Sequence, residues 1–180
     1  IHNLKFHKGK INTLSYHPQD SVLLSAGSDR KWVLWDLVSG KSLLSHKGHT
    51  SQILAASFSP DGKRFVTAGS DLFIKIWEYP QGEELGKLKG HKKPVTTLAF
   101  SPDGKLLASG SQDNQIFLWR LEPEISKTPF RKLEGHSYIV TQVFFSIAGK
   151  ALISISKDKT MRLWEVKSGK MLRILHGDST

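Results

Sequence analysis

The feature that most constrains this chain is a four-residue signature that returns four times at fixed spacing. A histidine is followed 22 residues later by an aspartate: His7 and Asp29, His49 and Asp71, His91 and Asp113, His136 and Asp158. A tryptophan follows each aspartate by 6 residues, at Trp35, Trp77, Trp119 and Trp164. A hydroxyl residue precedes each aspartate by 4, at Ser25, Thr67, Ser109 and Ser154. Successive signatures lie 42, 42 and 45 residues apart. A fixed period in this range marks a repeat architecture, each copy being one supersecondary unit. The copies span about 7–48, 49–90, 91–135 and 136–177 of a single 1–180 segment. The 3 extra residues of the third copy are expected in a lengthened surface loop, Leu121–Phe130, which carries two prolines.

Within each copy the apolar pattern has period two, which reads as strand. Strand a follows the histidine, at Ile11–Tyr16, Ile53–Phe58, Val95–Phe100 and Val140–Phe145. Ser59-Pro60-Asp61-Gly62 and Ser101-Pro102-Asp103-Gly104 are turn sequences, because proline presets one central φ and glycine accepts the unusual one. The first and last copies carry degraded versions, His17-Pro18-Gln19-Asp20 and Ser146-Ile147-Ala148-Gly149. Strand b is expected at Val22–Ala26, Phe65–Ala68, Leu106–Ser109 and Ala151–Ile155. Strand c ends on the tryptophan, and strand d follows at Ser42–His46, Leu85–Lys89, Phe130–Glu134 and Met171–Leu175.

Four short strands joined by tight turns make an antiparallel meander. One such sheet cannot bury two apolar faces alone, and stacking similar sheets around an axis solves this. The fold class is therefore all-β, a β-propeller with four-stranded antiparallel blades. The pattern Gly-His, Ser-Pro-Asp-Gly, Ser-Gly-Ser-x-Asp, Trp-Asp resembles the WD-repeat β-propeller family over essentially the whole chain, as four WD-type repeats. Only Trp35-Asp36 is a literal Trp-Asp pair, and Phe6-His7 stands where later copies have Gly-His. In a meander the His loop and the Asp turn meet at one end, called the top in that family. There each quartet is expected to form a buried hydrogen-bonded network of His, Asp, hydroxyl and indole.

His, Ser and Asp together also suggest nucleophilic catalysis, for instance by Ser109 with His91 and Asp113. Catalysis needs one cleft, one exposed nucleophile and one oxyanion hole, whereas here the set occurs once per sheet with tryptophan as its fourth member. Repetition therefore favours a structural role, which the family resemblance also implies, and no catalytic residue is assigned. The phosphate-loop and dinucleotide fingerprints are missing from this sequence. His46 and His49 lie three apart but have no third ligand nearby, so neither a metal nor a cofactor is expected. Trp32, where the other copies have Ile74, Ile116 and Met161, is expected in the core.

Charge carries the functional reading. The chain has 26 Lys and Arg against 16 Asp and Glu. Basic and acidic residues balance in the bottom turns. The top loops carry Lys8, Lys10, Arg30, Lys31, Lys92, Lys93, Lys157 and Lys159, and their acids are the four aspartates of the quartets. A one-signed surface attracts acidic partners and speeds their encounter. The family resemblance implies partner docking on the top through Lys10, Asn12 and Ser28; Gln52, Leu54 and Ser70; Pro94, Thr96 and Gln112; and Ile139, Thr141 and Lys157. Lys92, Lys93 and the apolar pair Tyr138-Ile139 join this candidate surface. The expected function is a non-catalytic protein-interaction scaffold whose partner carries an acidic segment. The alternative is polyanion binding, of nucleic acid or a phosphorylated ligand, on the same face. Aromatic residues do not interleave with the top lysines, which disfavours single-stranded nucleic acid.

No apolar run approaches the roughly 18 residues that cross a bilayer, and the start has no secretory n-region or h-region. The sequence holds no cysteine, so it offers neither disulfides nor thiolate ligands. An intracellular location, cytoplasmic or nuclear, is the expectation. Counting back from each histidine, Ile1 and Leu4 align with strand-d positions, which makes five d-like segments against four sets of a, b and c. With no initial Met, this suggests a contiguous section of a larger propeller, its remaining blades supplied by the same or another chain.

Overall fold

The computed structural model describes residues 4–122 and 124–177. Ile1 of the expected opening strand, and the charge of Asp178, lie outside the described residues. The described residues form four antiparallel sheets, each with its strands in sequence order. The first sheet is β1 (Ile11–Tyr16), β2 (Val22–Gly27), β3 (Trp32–Asp36) and β4 (Ser42–His46). The second is β5 (Ile53–Phe58), β6 (Arg64–Gly69), β7 (Phe73–Glu78) and β8 (Glu84–Lys89). The third is β9 (Val95–Phe100), β10 (Leu106–Ser111), β11 (Ile116–Arg120) and β12 (Arg131–Leu133). The fourth is β13 (Val140–Phe145), β14 (Ala151–Ser156), β15 (Thr160–Glu165) and β16 (Met171–His176). The inner strands coincide with the expected strands a. Strands b run one or two residues further, because the ladder continues up to the turn that holds the aspartate. The strand expected at Phe130–Glu134 is shorter, since the long preceding loop delivers the chain to the ladder only at Arg131.

Period-two patterning puts apolar side chains on both faces of each sheet, and neighbouring sheets bury them against each other. Leu24, Trp32 and Leu34 of the first sheet pack on Ile53, Phe65 and Trp77 of the second. Val66, Ile74 and Ile76 pack on Val95, Leu107 and Trp119. Ala108, Ile116 and Leu118 pack on Val140, Leu152 and Trp164. Each sheet thus offers one aliphatic face to the indole-bearing face of the next. Trp32 is fully buried in the first of these interfaces, with its indole nitrogen unpartnered. The inner strands are stitched across the sheets by side chains. Asn12 Nδ2 donates to the Ile53 carbonyl at 2.8 Å, and the amides of Ala56 and Phe58 donate to Thr13 and Ser15 hydroxyls. The four inner strands line an open concavity of about 650 Å³.

The turn with the degraded sequence His17-Pro18-Gln19-Asp20 has its own solution. In the other three sheets a serine oxygen organises this turn: Ser59 donates to Asp61 and accepts from the Arg64 amide, and Ser101 and Ser146 accept the Leu106 and Ala151 amides. In the first sheet, the imidazole of His17 accepts the Asp20 and Gln19 amides on Nδ1 and donates from Nε2 to the Gly62 carbonyl at 3.0 Å. His17 packs on Phe58 and Tyr79, so it also clamps the first sheet to the second.

The residue after each quartet aspartate is left-handed, with φ of 67° at Arg30, 71° at Leu72, 68° at Asn114 and 65° at Lys159. Asparagine tolerates that region, whereas leucine pays a steric penalty of about 1 kcal/mol there. Leu72→Asn is therefore expected to raise the melting temperature by a few degrees; thermal denaturation of the two proteins checks this, and a lower value contradicts it.

Candidate functional site

The top of each sheet is built around the quartet. The loop entering the inner strand delivers the histidine, the second strand delivers the hydroxyl, the following turn the aspartate, and the third strand the tryptophan. In the second sheet His49 Nδ1 donates to Asp71 at 2.9 Å, while Nε2 lies 2.7 Å from Thr67 Oγ1. Trp77 Nε1 donates to the same oxygen at 2.8 Å. The other sheets repeat this: Ser25, Ser109 and Ser154 stand 2.7–2.8 Å from His7, His91 and His136. The same hydroxyls accept from Trp35, Trp119 and Trp164. A carboxylate only accepts and an indole only donates. A neutral imidazole protonated on Nδ1 therefore satisfies every member: indole to hydroxyl, hydroxyl to Nε2, Nδ1 to carboxylate.

The aspartates also accept backbone amides on both sides. Asp71 takes those of Thr50 and Phe73, Asp113 those of Lys92 and Gln115, and Asp158 those of Ser137 and Thr160. Each carboxylate thus staples the entering loop to its own turn. Burial pushes the Asp71 carboxyl up, but the His49 hydrogen bond and charge interaction and the two amides outweigh it and hold the group below 3.8. Asp29, Asp113 and Asp158 are held low in the same way, Asp158 with an added hydrogen bond from Thr160. His136 is shifted below its ordinary 6.5 by burial, against the pull of Asp158. The hydroxyls are almost wholly buried, so none presents a nucleophile to solvent.

The surface positions also come together. The amide of the residue before each aspartate donates to the loop carbonyl two residues before the inner-strand bulge: Ser28 to Lys10, Ser70 to Gln52, Gln112 to Pro94, and Lys157 to Ile139. The ladder between the first two strands slips by one residue in every sheet, and the residue left out is Asn12, Leu54, Thr96 or Thr141. A bulge re-aims a side chain and twists the strand locally. The sequence carried no signal for these bulges. Lys10, Ser28, Gln52, Lys92, Lys93, Tyr138 and Lys157 are exposed, and Asn12, Leu54, Ser70, Pro94, Thr96, Gln112, Ile139 and Thr141 are half-buried. Two of these side chains are occupied between sheets: Asn12 holds the Ile53 carbonyl, and the Thr96 hydroxyl lies within reach of those of Gly110 and Val140.

Sequence reasoning missed a glycine requirement beneath this surface. A Cβ on Gly27 or Gly69 would stand 2.2 Å from the Lys10 oxygen or 2.0 Å from that of Gln52. The third and fourth sheets have Ser111 and Ser156 there, whose hydroxyls donate to the Lys93 and Tyr138 carbonyls. Among the described residues, none of the eight top Lys and Arg side chains forms an ion pair. The quartet aspartates face inward, their side chains only 4–10% exposed. No group of three or more potential metal ligands occurs among the described residues.

Comparison with known proteins fits this geometry. The family described as WD domain, G-beta repeat matches residues 1–36, 40–78, 82–120 and 127–165. A p21-activated protein kinase-interacting protein 1-like protein of Gallus gallus is 40% identical over 42 residues, 23% of this chain. That stretch spans 11% of the relative's length.

Two outcomes follow for the quartets. Asp71→Ala or Asp113→Ala leaves a buried imidazole without its acceptor and removes the link to two loop amides, a loss of about 1–3 kcal/mol; calorimetry should show a clearly lower melting temperature, and an unchanged one contradicts the staple. Acid should act in two stages. As pH falls through 6.5 the unfolded chain takes up a proton that folded His136 resists, so stability drops. The aspartate contribution is complete above their ordinary 3.8 and is lost as pH falls through their lower folded values. A melting temperature constant from about pH 7 to about pH 5 would contradict the buried, neutral His136.

Proposed function

The chain belongs to the WD-repeat family, and we propose that it is a non-catalytic protein-interaction scaffold whose top face holds an acidic segment of a partner protein. The observation that carries this reading is the one-signed top surface. Lys8, Lys10, Arg30, Lys92, Lys93, Lys157 and Lys159 are exposed, while the four aspartates among them are turned inward. Such a field raises the rate of encounter with acidic chains and weakens with salt. The bulge residues and the paired loop positions supply polar and small apolar contacts beside the lysines, and Tyr138 adds an exposed aromatic of the kind enriched in interfaces. That a relative is named as kinase-interacting supports a protein as the partner class. The second sheet brings Thr50, Ser51, Gln52 and Ser70 instead of lysines, so the acidic contacts would cluster on the first, third and fourth sheets.

The test is titration of a labelled poly-glutamate peptide into the wild type and into a Lys10→Glu, Lys92→Glu, Lys93→Glu, Lys157→Glu variant. These side chains are exposed, so the variant should keep its melting temperature. We expect its affinity to fall on the order of 10-fold or more, mainly through slower association. Unchanged affinity overturns the reading. A single-stranded oligonucleotide that binds more tightly than the peptide, with a steeper salt dependence, would replace it with polyanion binding.

A further inference from the structure

The four copies differ sharply at the residue after the quartet tryptophan. It is an acid in three of them, Asp36, Glu78 and Glu165, and an arginine, Arg120, in the third. In the first and fourth sheets that acid organises the turn that follows: Asp36 accepts the Val38 and Ser39 amides, and Glu165 accepts the Ser168 hydroxyl. The third sheet has the long 121–130 loop instead. Its neck is closed by the Ser126 amide on the Arg120 carbonyl and the Phe130 amide on the Leu118 carbonyl. This closure brings Phe130 and Arg131 beside Arg120. The Arg120 guanidinium lies 4.9 Å from the Phe130 ring centroid, and that of Arg131 lies 6.0 Å from it. Arg131 pairs in register with Leu118, as Leu44 does with Leu34 and Gly86 with Ile76, so the ladder itself does not require a cation there.

Between the bottom ends of the third and fourth sheets, Lys105, Arg120, Arg131 and Lys167 line an open groove of about 360 Å³. Its acids are Asp103 and Glu122. Glu122 is paired with Arg64 at 3.0 Å, and Asp103 accepts the Ser101 hydroxyl and the Lys105 amide. Among the described residues, none of the four cations forms an ion pair. Arg131 Nη2 donates to the Lys167 carbonyl, which ties the two sheets together, and its Nε is buried without a hydrogen-bond partner. The bottom face balances its charges as a whole, so this excess is local. We propose that the groove binds the phosphomonoester of a phosphorylated serine or threonine in a partner protein, a site separate from the top-face lysines. A phosphate dianion matches two guanidinium forks and two ammonium groups in charge and in donors, as a single carboxylate does not. A local excess on a balanced face suits one phosphate on a chain, whereas a bilayer or a duplex would also meet the acids of the neighbouring bottom turns. The one aromatic ring of the groove, Phe130, is already engaged by the arginines, which disfavours stacking by a nucleotide base. Sites for free metabolites enclose most of the ligand, and an open groove does not. Leu106 and Val166 give the residues flanking the phosphate an apolar wall to lie on.

Fluorescence anisotropy of the whole chain tests this, with a labelled peptide pool that carries one central phosphoserine between degenerate neutral flanks, and with its unphosphorylated twin. We expect the phosphorylated pool to bind more tightly, on the order of 10-fold or more. Lys105→Gln with Arg120→Gln should abolish that preference. Both side chains are exposed, so this variant should keep its melting temperature. Arg131→Lys keeps the charge and loses the fork, so it should weaken the phosphorylated pool and leave the unphosphorylated one unchanged. The Lys10→Glu, Lys92→Glu, Lys93→Glu, Lys157→Glu variant should retain the preference. Equal binding of the two pools overturns the proposal. A preference that survives the groove substitutions and disappears in the top-face variant overturns it by moving the phosphate to the top. Inorganic phosphate that binds as tightly as the pool, measured by competition, overturns a protein-borne ligand in favour of a small anion. Poly-glutamate binding on the top does not depend on Lys105 or Arg120, so the two readings fail separately.

Discussion

A four-stranded sheet with apolar side chains on both faces has nowhere to hide either of them by itself. The architecture follows from that constraint. Alternation puts Leu24 and Leu34 on one side of the first sheet and Leu23, Val33 and Trp35 on the other, so each side needs a neighbour. Aliphatic faces meeting indole faces satisfy that need three times, with the inner strands close enough for side-chain hydroxyls to reach across to the next backbone. Because the interface is directional, a stack always ends with one face of each kind. The exposed Tyr16 and Met161 are a consequence of the same rule that buries Trp77 and Trp119.

Within a sheet, the hydrophobic effect does not specify how the loops at the top are held. The quartets do that. An indole, a hydroxyl, an imidazole and a carboxylate form one chain of donors and acceptors, and the carboxylate also accepts two backbone amides, one from the entering loop and one from its own turn. Such a network is worth having only if every member is satisfied, since an unpaired buried polar group costs more than a hydrogen bond returns. The chemistry also separates the quartets from an active site. A serine that already accepts an indole N–H and lies inside a sheet interface is a joint, not a nucleophile. Turning the four carboxylates inward leaves the lysines around them to set the field outside.

Much of this was legible in the residues. The spacing of His, hydroxyl, Asp and Trp identified the repeat, and the side-chain types limited which hydrogen bonds they could share. The inner strands could be read to the residue because each is bounded by a turn sequence on one side and the histidine loop on the other. Legibility failed where local chemistry was replaced. His17 stands where the three other turns use serine, and its two ring nitrogens do work that a turn-propensity argument assigns to glycine and aspartate. It failed again at β12, where the long third loop shortens the ladder.

The sequence by itself determined the repeat, the strand order within each sheet and the membership of each quartet, because these depend on spacing, alternation and the donor or acceptor nature of a side chain. Only the tertiary structure decided the bulges at Asn12, Leu54, Thr96 and Thr141, the pairing of surface loops beneath the lysines, and which apolar faces stay open. A bulge is set by how a strand must twist to lie beside its neighbour in the next sheet. An open face is a property of the stack, since Met161 and Ile116 are equivalent in sequence and differ only in what lies against them.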